Sequence, residues 1–199
     1  MIGERLHARR KEFRWLTMTV ANLVTILRVL LVPVIAVAMV EGLYALAFWL
    51  FIVAGLSDAV DGAIARIFDQ RSDLGAMLDP LADKALLVTV FLMLGMSGAL
   101  PVWLVILVVS RDIVIVAGVW LADFLGTPMQ VRPHPISKVN TAAQILLAVF
   151  ALATLAWTLG IEPWLEIGVY ATAVLTVSSL ATYTWIWVSH VHGHSEARN

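Results

Sequence analysis

The sequence predicts an all-α integral membrane fold, with six transmembrane helices and a basic juxtamembrane helix ahead of them. Three observations carry this. Apolar residues make up 61% of the 199-residue chain and charged residues 14%, against about half and a quarter in soluble domains. A protein of this size cannot bury that much apolar surface, so part of it must face lipid. The apolar residues also fall into six long runs, and the breaks between them differ sharply in charge.

Residues 1–17 form the first element. Arg5, Arg9, Arg10, Lys11 and Arg14 sit ahead of the first apolar run, and Ile2, Leu6 and Phe13 share a face roughly. This reads as a helical segment on the membrane surface. The run behind it is long enough to span, unlike the core of a cleaved leader. A six-helix domain over 18–190 and a polar tail over 191–199 complete the layout. The runs are Val20–Val40, Leu43–Phe68, Leu74–Met96, Pro101–Leu125, Val139–Leu159 and Trp164–Ser189. Each approaches or exceeds the ~20 residues that cross a bilayer as helix. They are too long and too continuous for barrel strands. Glu41-Gly42, Gln70 to Asp73, Gly98 to Pro101, Thr127 to Pro135 and Gly160 to Pro163 are ordinary helix stops.

Charge orients the bundle. The N-terminal segment and the second and fourth breaks hold most of the Lys and Arg, including Arg66, Arg71, Arg132 and Lys138. The other breaks carry Glu41, Glu162 and Glu166. Basic loops stay inside, so both termini are expected on the cytoplasmic side, of the inner membrane in a bacterium. Trp157, Trp164, Trp185 and Trp187 lie near helix ends, where interfacial aromatics gather, although each could equally face lipid or core. With a net charge of −1 there is no basic field for nucleic acid. Cysteine is absent, which excludes disulfides, thiolate metal sites and a cysteine nucleophile. His190, His192 and His194 read as a solvated tail.

These facts alone also allow an inert bundle, a lipid-binding scaffold or a cation transporter. The segment Ser57 to Lys84, SDAVDGAIARIFDQRSDLGAMLDPLADK, separates the possibilities. Asp58, Asp61, Asp79 and Asp83 lie inside or at the ends of apolar helices. One Asp at mid-helix costs about 2.5–3.5 kcal/mol on the insertion scale, so four facing lipid would cost on the order of 10 kcal/mol. They must face water, a cation or one another, and neighbouring carboxylates repel unless a proton or cation intervenes. At about 100° per residue, Asp58, Asp61, Gly62, Ala65 and Arg66 share an arc of roughly 140°. Asp79 and Asp83 stand one turn apart. Oxygen-only ligands favour Mg²⁺, Mn²⁺ or Ca²⁺ over zinc. Gly62 and Gly75, beside the charges, admit close approach of a helix or a phosphate. Pro80 lacks an N–H for the carbonyl of Ala76, which would open the backbone beside Asp79.

Asp58-x2-Asp61-Gly62-x2-Ala65-Arg66-x8-Gly75-x3-Asp79-x3-Asp83 resembles the signature of the CDP-alcohol phosphatidyltransferases, with every position filled. The resemblance implies a pair of divalent metals, Mg²⁺ or Mn²⁺, on Asp58, Asp61, Asp79 and Asp83, with Asp83 also the general base. It implies a CDP-lipid site at Asn22, Thr25, Gly62, Ala65, Arg66, Ser72 and Gly75, with CDP-diacylglycerol as donor, and a homodimer. Ser110-Arg111-Asp112 and Ser137-Lys138-Val139-Asn140-Thr141 are similar to the cardiolipin-synthase group of that family. A sibling group that makes phosphatidylglycerophosphate more often has Glu where Asp112 stands. The expected acceptor is therefore phosphatidylglycerol, with glycerol 3-phosphate as the alternative. Arg28, Arg111 and Lys138 are the cations expected to bind it. Arg28 could instead snorkel or pair between helices, and Arg111 could pair with adjacent Asp112.

Overall fold

The computed structural model describes residues 20–68, 73–124, 135–157 and 159–196, and in the helical stretches 20–25, 58–68, 73–81, 119–124 and 186–196 it describes the backbone alone. The expected surface segment at 1–17 and Ser72 lie outside the described residues. The described chain is helical throughout: α1 (Val20–Val40), α2 (Tyr44–Phe68), α3 (Asp73–Met96), α4 (Val102–Phe124), α5 (Pro135–Ala156) and α6 (Glu162–Glu196).

The first four helices begin and end within a residue or so of the apolar runs. The last two differ. α5 starts at Pro135, ahead of Val139, because proline's missing N–H and preset φ suit the first turn of a helix. α6 continues beyond Ser189 to Glu196. The apolar run marks where lipid would end, and backbone hydrogen bonding can carry a helix further. α3 runs unbroken through Pro80.

Each break without Lys or Arg holds a glycine in the left-handed region. Gly42, Gly98 and Gly160 have φ of 73°, 78° and 64°. At Gly42 the closing bonds are Leu43 N–H to Ala38 C=O at 2.8 Å and Gly42 N–H to Met39 C=O at 3.2 Å. This is the six-to-one and five-to-two pattern that satisfies the last carbonyls of a helix, and the left-handed residue within it favours glycine. α1 and α2 are thereby folded back on each other.

The chain divides into two compact units between Met93 and Leu94, inside α3. In the first unit α1 packs on α2. Its buried apolar residues include Ile35, Ala38, Ala47, Phe51, Ala54, Val90 and Phe91. In the second unit α6 packs on both α4 and α5. Gly168 lets α6 approach α5 closely: a Cβ there would stand 3.1 Å from Leu147 Cδ1. Trp103 of α4 and Tyr170 of α6 stack at 6.1 Å between ring centroids.

Both units turn large apolar side chains outward, among them Leu30, Val37, Trp49, Leu56, Ile106, Val174 and Trp185. Exposed apolar surface on this scale marks an interaction with lipid or protein. Among the described residues, two helical stretches are long and apolar enough to cross a membrane, Pro135–Ala156 and Glu162–Trp185. Shorter apolar stretches cover Ile26–Val40 and Tyr44–Ser57.

Candidate active site

The aspartates stand on the two helices that flank the break at 69–72. Asp58 and Asp61 are in the last turns of α2, with Gly62, Ala65 and Arg66 after them. Gly75 and Asp79 are in the first turns of α3, followed by Asp83. Distances along the helices are informative. At 1.5 Å per residue, Asp58 lies about 15 Å before the end of α2, and Asp83 about 15 Å beyond the start of α3. Asp61 and Asp79 lie about 10 Å and 9 Å from the same two ends. Asp58 and Asp83 thus stand about equally far from the break along their own helices, as do Asp61 and Asp79. The backbone alone is described for Asp58, Asp61 and Asp79, and for Gly62, Ala65, Arg66 and Gly75 as well as Asn22 and Thr25 of α1.

Asp83 is described in full. Its side chain is 43% exposed, and it accepts a hydrogen bond and ion pair from Arg28 Nη1 of α1, whose own side chain is only 4% exposed. The pair joins α1 to α3 across 55 positions of sequence. Arg28 is thus brought to the aspartate expected to act as base. An arginine inside an apolar helix requires a counter-charge or a watery face, and that was the signal from which this pairing could have been foreseen.

A divalent cation suits this donor set. Four aspartates on α2 and α3 offer oxygen ligands only, as Mg²⁺ and Mn²⁺ prefer. Asp83 stays partly exposed while Arg28 fixes the direction of its carboxylate. Among the described side chains there is no group of three or more potential metal-binding residues; three of the four aspartates fall outside that set.

Arg111 and Lys138 belong to the second unit and differ from each other. Lys138 is exposed in the first turn of α5. Arg111 is buried, and its guanidinium is used within the bundle. Nη1 pairs with Asp112 Oδ1 at 2.5 Å, while Nη2 donates to Ser137 Oγ of α5 at 2.6 Å and to Ser179 Oγ of α6 at 2.7 Å. One arginine of α4 therefore ties together all three helices of its unit. Sequence reading raised the Asp112 pair but missed Ser179, along with buried Gln144, Thr172 and Thr176.

The family model for CDP-alcohol phosphatidyltransferase matches residues 18–189. The chain belongs to the CDP-alcohol phosphatidyltransferase family. The family is membrane-associated and uses CDP-alcohol substrates. The chain is 34% identical over 181 residues to the human protein named cardiolipin synthase (CMP-forming), an alignment covering 83% of this chain and 60% of that protein. A Drosophila melanogaster protein named probable cardiolipin synthase (CMP-forming) is 31% identical over 189 residues, covering 87% and 59%. A CDP-diacylglycerol–glycerol-3-phosphate 3-phosphatidyltransferase from Cereibacter sphaeroides is 37% identical over 146 residues, covering 68% and 64%. The chain spans about 60% of the length of the human and fly relatives.

Proposed function

We propose that this chain transfers a phosphatidyl group from CDP-diacylglycerol to phosphatidylglycerol, giving cardiolipin and CMP. The observation that carries the reading is the set of four aspartates at helical spacing on α2 and α3, within a chain that the family model covers from 18 to 189. The similarity to proteins named cardiolipin synthase supports the choice of acceptor.

Asp58, Asp61, Asp79 and Asp83 would hold two Mg²⁺ or Mn²⁺ ions. When bound, such ions neutralise the diphosphate and stabilise charge on the departing CMP. The protein's own groups do the rest. Gly62 and Gly75 leave room for the diphosphate, and Arg66 pairs with it. Asn22, Thr25, Ala65 and Ser72 complete the CDP-lipid site. Asp83 takes the proton of the acceptor hydroxyl, whose oxygen attacks the phosphorus bearing the diacylglycerol. The bond from that phosphorus to CMP breaks, and CMP leaves with the electron pair. Arg28 acts through Asp83 by fixing the carboxylate's direction. Exposed Lys138 is the cation offered to the acceptor's phosphate. Arg111, bonded on three helices, acts by holding the first turn of α5 in place.

The placement goes with the chemistry: six membrane spans, both termini and the site on the cytoplasmic side, and a homodimer. Purified protein in phosphatidylcholine nanodiscs, given labelled CDP-diacylglycerol and a panel of acceptors, tests the reading. Metal-dependent CMP release with labelled cardiolipin as product is expected. CMP release with glycerol 3-phosphate alone would favour the second reading, for which the Cereibacter sphaeroides relative is the specific support. Metal flux in liposomes without any CMP release would replace both with a transporter.

A further inference from the structure

α5 and α6 meet along a buried polar seam whose three rungs share one register. Ser137 faces Ser179 through Arg111. Asn140 bonds Thr176, whose Oγ1 lies 2.9 Å from Asn140 Oδ1. Gln144 and Thr172, both about 1% exposed, occupy the next level. The residue numbers in every pair add to the same total, as they must for two antiparallel helices in fixed register. From Ser137 to Gln144 the seam runs roughly 10 Å along α5. It lies between the two stretches able to cross a membrane.

The seam is not satisfied by its own residues. Arg111 Nε, Asn140 Nδ2 and Gln144 Nε2 are all buried with no hydrogen-bond partner. A bare donor at such depth is costly, and nearly all buried polar groups have a protein or water partner. Turning the Asn140 amide over does not cure the deficit. Thr176 Oγ1 has one proton and two acceptors in reach, Asn140 Oδ1 at 2.9 Å and Thr172 C=O at 2.8 Å. If that proton goes to Thr172, Asn140 must donate to Thr176 instead, leaving its own carbonyl oxygen and a second N–H open. A ligand able both to accept and to donate serves either arrangement. Charge narrows the class further. Arg111 is balanced by adjacent Asp112, so the seam offers an oxyanion no net positive charge.

We propose that this seam is a binding site for neutral hydroxyl oxygen, either ordered water or the hydroxyls of a glycerol-type lipid headgroup. Arg111 Nε, Asn140 and Gln144 are its donors. The site belongs to α4, α5 and α6 alone and does not depend on the catalytic reading.

The test compares melting temperatures of wild type and Gln144→Met in nanodiscs of phosphatidylcholine, with and without phosphatidylglycerol. Methionine keeps the length of glutamine and removes its donor. With an oxygen bound to Gln144, the variant melts roughly 2–10 °C lower. A drop in both lipids assigns the oxygen to water, and a drop only with phosphatidylglycerol assigns it to the headgroup. An unchanged or raised melting temperature overturns the proposal, since removing a bare buried donor relieves a cost. Should the variant fail to insert, a high-resolution crystal structure of the wild type decides. Density within hydrogen-bond distance of Asn140 and Gln144 supports the site, and a dry seam overturns it.

Discussion

Replacing Arg111 by methionine separates a positioning role from an acceptor-binding one. Arg111 and Asp112 are both buried, and the guanidinium makes bonds of 2.5, 2.6 and 2.7 Å to groups on three helices. Methionine fills most of the space and makes none of these bonds. Removing one partner of a buried pair costs about 3–5 kcal/mol, because the other charge keeps its desolvation penalty. Ser137 and Ser179 lose a charged donor as well, though Ser137, only half-buried, can turn to water. For a chain of this size, 1 kcal/mol corresponds to roughly 2–4 °C, so a fall on the order of 10 °C is expected. Thermal unfolding in nanodiscs measures it. A second change, Asp112→Asn on the same background, should recover part of the loss, since the buried carboxylate that lost its arginine is then neutral. In turnover, Arg111→Met should lower kcat and raise acceptor KM together, as a displaced α5 would. A variant that melts within about 1 °C of wild type and raises acceptor KM alone would refute the clamp and make Arg111 an acceptor ligand.

Three further outcomes follow from the first unit. Asp83→Asn should release CMP at least about 100-fold more slowly, the range for losing a general base, and should also melt lower because enclosed Arg28 loses its counter-charge; rapid-quench CMP assays at a temperature where the variant stays folded check this. Arg28→Gln should lower kcat roughly 10-fold or more with little change in acceptor KM, as expected if it works through Asp83; steady-state kinetics at varied acceptor would expose a pure KM effect instead. Chelation should abolish CMP release, Mg²⁺ or Mn²⁺ should restore it and Zn²⁺ should not, given an all-oxygen donor set; metal-titrated assays on chelator-treated protein measure it.

Much of the fold is readable in the sequence because the punctuation is strong. Glu41-Gly42 stops α1 where the left-handed glycine sits, Gly98 does the same for α3, and Gly160 lies in the break between α5 and α6. The start of α5 is less readable, since Ser137 and Lys138 dilute the apolar signal that would have extended the run back to Pro135. The aspartate cluster stands out because a charge in an apolar helix needs a reason, and four at helical spacing need a common one. The Arg28 partnership is half readable: the need for a counter-charge is local, but the choice of Asp83 depends on a tertiary contact across 55 positions. The seam is the reverse case. Ser137, Asn140 and Gln144 recur at three and four residues on α5, and Thr172, Thr176 and Ser179 at four and three on α6. Both patterns are visible, yet weakly polar residues are common in membrane helices. Only the register turns two stripes into one seam.

The two units place ionisable groups in opposite surroundings, and that contrast bears on which of them can do chemistry. In the first, Arg28 is enclosed and orients the carboxylate of Asp83, which remains 43% exposed. In the second, Arg111 and Asp112 are closed together, with side-chain exposures of 4% and 11%, and the remaining guanidinium bonds end on the serines of neighbouring helices. A group that must meet a diffusing substrate needs an approach as well as a fixed direction. Asp83 has both. Arg111 has direction without approach, and its bonds reach the turn of α5 that carries exposed Lys138. The ion pair of the first unit is therefore suited to reaction and that of the second to alignment, although both place an arginine beside an aspartate in an apolar helical setting.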